Sequence, residues 1–102
     1  MNPIFEEIGY TELTTFWTDF TIADKFGKEA IEDTYNRGLK FAKTNYKYLT
    51  EFVMVLNHKI WQWYERNDEY AELYNELWTK ADAYACDNLK CEELEYFYQT
   101  TD

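Results

Sequence analysis

A chain of 102 residues has room for one hydrophobic core and not for two, and at that size the core needs neither a structural metal nor a disulfide. Apolar residues make up 46% of it and aromatic ones 21%, with ten Tyr, seven Phe and four Trp, which excludes a disordered chain. Twenty acids against ten bases leave a formal charge of −10, which argues against direct attraction to nucleic acid or to an anionic membrane surface.

The chain has one proline, Pro3, and three glycines, so helix breakers are scarce and helices should fill it. Residues 1–13 read as an irregular arm, because Gly9 interrupts the early apolar cluster of Ile4, Phe5 and Ile8. A first helix is predicted over 14–26, with threonines as N-caps, Gly27 as its left-handed stop, and Phe16, Trp17, Phe20, Ala23 and Phe26 as its apolar set. A second is predicted over 28–43, opened by Glu29, Glu32 and Asp33 and closed by Lys40 and Lys43, as the macrodipole prefers. Its shared face is Ala30, Ile31, Tyr35, Leu39 and Ala42, and Gly38 inside it permits a neighbouring helix to come close.

The third helix, predicted over 48–66, holds the densest apolar run, from Phe52 to Leu56 and on to Ile60, Trp61, Trp63 and Tyr64, which makes it the central helix. Val53 and Val55 leave a strand reading open, but the 3.6-residue pattern of Leu49, Phe52, Leu56, Ile60 and Trp63 favours helix. Asn67 is the best N-cap in the chain and opens a fourth helix reaching about residue 89, with Tyr70, Leu73, Tyr74, Leu77, Ala81 and Tyr84 on one face. A short last helix over 91–98 offers Leu94, Phe97 and Tyr98 for docking. The expected fold is therefore all-α, a single domain over 1–102: a compact bundle of four main helices around the third, plus a short C-terminal helix and the N-terminal arm.

Catalysis needs a nucleophile with its base, paired carboxylates in a cleft, or a metal constellation, and none is visible. Cys86 and Cys91 with the single histidine, His58, cannot make a four-ligand zinc site, and both cysteines read as small buried apolar residues. His58 reads as structural or superficial, because no Glu-x-x-His pair supports a di-metal bundle. The expectation is a non-enzymatic protein without cofactor or metal. No basic leader precedes an apolar run at the N-terminus, and no stretch is long enough to span a bilayer, so cytoplasmic residence is expected.

Charge is unevenly spread. Through Glu51, nine acids and six bases give −3, and beyond it eleven and four give −7. Glu65, Glu69, Glu72 and Glu76 recur at helical spacing opposite the apolar face of the fourth helix, and Asp68, Asp82, Asp87, Glu92, Glu93 and Glu95 extend the negative region. Like charges so spaced cost a helix about 0.2–0.5 kcal/mol each. One reading is a solvated face, with Asp68 and Glu69 serving the helix N-terminus; the other is a surface matched to a basic groove on a protein partner. Carboxylates one helical turn apart would compete with phosphates in such a groove. Trp61, Trp63, Trp78 and Tyr96 are candidates both for core and for hot spots beside it. The partner-binding set is thus Glu65, Glu69, Glu72, Glu76, Asp87, Glu92, Glu93 and Glu95 with Trp61 and Tyr96, and the aromatic surplus keeps a homodimer open.

The segments Phe16-Trp17-Thr18-Asp19-Phe20, Ala23-Asp24-Lys25-Phe26-Gly27, Val53-Met54-Val55-Leu56-Asn57, Asp82-Ala83-Tyr84-Ala85-Cys86 and Tyr96-Phe97-Tyr98-Gln99-Thr100-Thr101-Asp102 cover much of the chain. Together they resemble small acidic all-α proteins carried by bacteriophages and integrative elements. Inhibitors of host defence nucleases, of the anti-CRISPR or antirestriction type, recur among proteins of that kind. The resemblance implies a host nuclease as partner, and its alternative is a structural or adaptor protein that joins an assembly through aromatic surfaces.

Overall fold

Joints between helices fall where the chain offers a glycine, an asparagine or a left-handed residue. The computed structural model describes the backbone of residues 11–101 and the side chains of residues 16–100. Among the described residues it contains five helices and no strand: α1 Thr11–Asp24, α2 Lys28–Ala42, α3 Tyr46–Trp63, α4 Asp68–Asn88 and α5 Glu92–Thr101. The all-α bundle of four main helices with a short fifth is the expected architecture. Val53 and Val55 are helical and buried, which closes the strand reading. Of the predicted arm, residues 1–10 lie outside the described residues, as does Asp102, and Thr11–Leu13 already belong to α1.

Gly27, at φ 111°, turns the chain between α1 and α2, and its amide donates to the Ala23 carbonyl at 3.1 Å. Because α1 ends at Asp24, two residues before the predicted end, Phe26 rides on the turn at 78% exposure and not in the core. Asn45 caps α3 by accepting from the Lys47 amide at 2.8 Å, and Asn67 caps α4 by accepting from the Tyr70 amide at 3.2 Å. α3 stops three residues short of its predicted end. Glu65 adopts φ 65° there, a left-handed conformation, and the Asn67 amide reaches back to the Trp63 carbonyl at 3.0 Å. Cys91, at φ 47°, makes the corresponding turn into α5, and this leaves its thiol exposed; Cys86 is half-buried, so neither cysteine is the buried apolar residue expected.

α3 touches each of the other four helices, the central position its apolar run predicts. The Phe52 ring is fully buried and meets Phe16, Phe20 and Tyr35 at centroid distances of 5.0, 5.8 and 5.6 Å. Gly38 of α2 lies directly over that ring. Among the described residues, no helix is long and apolar enough to cross a membrane.

Candidate functional site

Chemistry-bearing side chains gather in three places, and the first is closed to solvent. Lys59 lies on α3 with Phe52, Leu56 and Trp63, on the face turned inward, and none of its side chain is exposed. Its ammonium donates to Asp24 Oδ2 at 2.9 Å and Thr21 Oγ1 at 3.0 Å, both on α1, and sits 4.4 Å from the centre of the Trp17 ring. Asp24 also accepts from Trp63 Nε1 at 3.2 Å and from the Tyr74 hydroxyl, while its backbone carbonyl accepts from the Tyr70 hydroxyl at 3.1 Å. Burial pulls the Lys59 ammonium below the ordinary lysine range, against the hydrogen bond and charge of Asp24. Burial, followed by the hydrogen bond and charge of Asp24, pushes the Tyr74 hydroxyl above the ordinary tyrosine range. These contacts tie the end of α1 to α3 and α4.

The second place is the outer face of α4. Glu69, Glu72 and Glu76 are exposed there, and Asp87, eleven residues and about three turns beyond Glu76, shares the face. Glu76 faces Lys80 at 3.9 Å with both side chains largely in water, a contact worth little. Glu69, Glu72 and Asp87 have no ion-pair partner among the described residues. Glu65 is exposed but lies in the left-handed turn before α4 begins, so the predicted four-carboxylate stripe has three members on the helix. Trp61, at 66% exposure, pairs its ring with Tyr64 at 5.7 Å beside that turn. Trp61, Tyr64 and Glu65 thus all lie at the joint between α3 and α4. Phe26 is at the same end of the bundle, since Asp24 just before it meets Lys59, Trp63 and Tyr70.

The remaining predicted residues belong to α5 and are partly engaged in holding it. Glu93 Oε1 accepts from the Lys90 amide at 3.4 Å, as in a capping box, and Glu92 and Glu95 also lie in the first turn. Glu95 takes a hydrogen bond from Gln99 at 3.3 Å. Tyr96 packs edge-on against Tyr46 at 5.5 Å, with the Lys47 ammonium 5.9 Å from its ring, so it serves the α3–α5 contact. Trp63 and Trp78 pack against the core.

The third place, which spacing along the chain did not reveal, is a groove of about 490 Å³ between α3, α4 and α5. Val53 and Phe97 form its floor, and Met54, Asn57, Trp78 and Asp82 its walls. His58 reaches its edge and leans its ring on Trp17 at 6.5 Å. Trp78 and Asp82 stand one turn apart on α4 and so share a face. Asp82 has no hydrogen bond or ion pair among the described residues, and burial raises its carboxyl above the usual carboxylate range. Its folded-state pKa exceeds the unfolded one, so ionised Asp82 subtracts stability at neutral pH, and this cost vanishes as pH falls below the unfolded value of about 3.9. Asp82→Asn is accordingly expected to raise the urea midpoint slightly at pH 7, because water still screens the carboxyl, and to change nothing at pH 3.

Among the described residues, no three His, Cys, Asp or Glu side chains gather as metal ligands would. Compared with family models, curated proteins and solved structures, the chain matches none of them. What the described residues define is a helical bundle with an acidic outer helix, an aromatic end and a groove between α3, α4 and α5.

Proposed function

We propose that this protein is a non-enzymatic binding module that inhibits a host defence nuclease by laying the outer face of α4 into the nuclease's basic nucleic-acid channel. The observation that carries this reading is the set of exposed carboxylates Glu69, Glu72, Glu76 and Asp87 on one face of a helix about 30 Å long, matched by a single weak ion pair. Repeated negative charge held at fixed spacing competes with phosphates and steers association with a basic surface. The resemblance to proteins of bacteriophages and integrative elements supplies the kind of target. Trp61 and Tyr64, exposed at the same joint as Glu65, would add the apolar anchor that charge alone does not provide.

A second reading has its own observation. Phe26, Trp61 and Tyr64 are exposed at one end of the bundle, and aromatic surface of that kind suits a protein that self-associates or joins an assembly. Salt separates the two, because steering by α4 weakens as ionic strength rises and aromatic packing does not.

The test is affinity capture from a bacterial lysate with mass spectrometry, followed by association kinetics on the purified partner. Reversing Glu69, Glu72 and Glu76 to Lys leaves the buried Leu73, Leu77 and Ala81 face intact, so the variant should keep its helical spectrum. Its association rate at low salt is expected to fall about tenfold or more, and the parent's binding should be displaced by nucleic acid. A folded triple variant that associates as fast as the parent would reduce the acidic face to a solvated surface.

A further inference from the structure

We propose that the groove between α3, α4 and α5 seats one arginine side chain of a protein partner, with Asp82 as its counter-ion and the Trp78 ring as its wall. This deepens the binding-module reading and rests on its basic protein partner, though not on the partner being a nuclease. Four features of the groove fit a guanidinium on an apolar stem. Val53 and Phe97 on the floor and Met54 on the wall give the methylenes an apolar lining. Trp78 gives the planar cation a ring, and Asp82, one helical turn along the same face, gives it two carboxylate oxygens with no other partner among the described residues. Asn57 stands on the opposite wall, with an amide oxygen that can accept a further N–H.

Charge complementarity selects arginine over an apolar side chain, because an apolar occupant would bury the Asp82 carboxylate with nothing to neutralise it. It also selects arginine over lysine: the guanidinium is flat, weakly hydrated and forked, whereas an ammonium is a compact and strongly hydrated point charge. A groove of about 490 Å³ falls in the range that holds a side chain together with part of the backbone carrying it. At 3.6 residues per turn Asp82 lies roughly a third of a turn around α4 from the face of Glu69, Glu72 and Glu76, so a basic partner that wraps that side of the helix can meet both.

The probe is N-acetyl-arginine methylamide, titrated into the nitrogen-15-labelled full chain and followed by amide and indole resonances, with N-acetyl-norleucine methylamide as the uncharged control. The expected result is saturable shifts at the Trp78 indole N–H and the Asn57 side-chain amide, absent with norleucine and weaker with the lysine analogue. Asp82→Asn should keep the fold and weaken arginine binding about tenfold, whereas Glu72→Gln should leave it nearly unchanged. Shifts spread along α4 without saturation, or equal binding by Asp82→Asn, would overturn the assignment. If the probe does not bind while triple reversal on α4 still abolishes capture, the groove assignment fails alone. If it binds while triple reversal leaves capture untouched, the failure belongs to the acidic-face reading.

Discussion

Asp24→Asn is expected to cost about 3–5 kcal/mol of folding free energy, a large share of the ~5–15 kcal/mol that holds a domain together. The Lys59 ammonium, fully buried, would keep Thr21, the Trp17 ring and at most a neutral amide oxygen, and none of these carries negative charge. Lys59→Met should cost less, because Asp24 retains the Trp63 and Tyr74 donors and lies at the edge of water, with 6% of its side chain exposed. The double variant should cost less than the two singles together, with a coupling of about 0.5–3 kcal/mol, since it removes a pair and leaves no isolated charge. Urea unfolding followed by helical circular dichroism measures all four corners of the cycle. Strict additivity would mean that the ion pair does not hold α1 against α3.

Neither partner of that pair announced itself by spacing, since thirty-five positions separate them in the chain. The signals were there in a weaker form. Lys59 falls at i+3 from Leu56 and i+7 from Phe52, in the apolar stripe of α3, and a lysine in such a stripe needs a partner. Asp24 stands at the C-terminal end of α1, where the macrodipole disfavours an acid unless a cation meets it. Read together, the two departures point at each other; read separately, Lys59 passes for a neighbour of His58 on an exposed edge.

The helix count, the central place of α3, the Asn67 cap, the Gly27 turn and the close approach at Gly38 were legible, because each follows from local chemistry or from a 3.6-residue period. The end of α3 was not. Periodicity runs on through Tyr64 to Arg66, but Glu65 takes a left-handed conformation that costs a non-glycine residue energy and that only the packing of α4 on α3 enforces. That turn removes Glu65 from the helical stripe of α4. The outward face of α4 was readable from its period, and its exposure agrees with it. The groove was not readable, because its walls come from three helices and depend on where α5 docks.

Gly38→Ala is expected to destabilise the fold by about 1–3 kcal/mol, even though replacing a helix glycine by alanine ordinarily gains about 0.5–1 kcal/mol. A Cβ at position 38 would stand 2.6 Å from Cε1 of Phe52 and 3.3 Å from Cζ, inside van der Waals contact. The ring cannot step aside, because Phe16, Phe20 and Tyr35 close around it and no part of it is exposed. Phe52→Ala alone should cost about 3–5 kcal/mol, the loss of a core ring plus the cavity it leaves. In a Phe52→Leu background, where the clashing ring atoms are gone, Gly38→Ala should become neutral or stabilising, so the two substitutions couple strongly in a double-mutant cycle. Thermal and urea unfolding of the four proteins decides it. The same penalty for Gly38→Ala in both backgrounds would place the limit in the α2 backbone and not in the approach of α2 to the Phe52 ring.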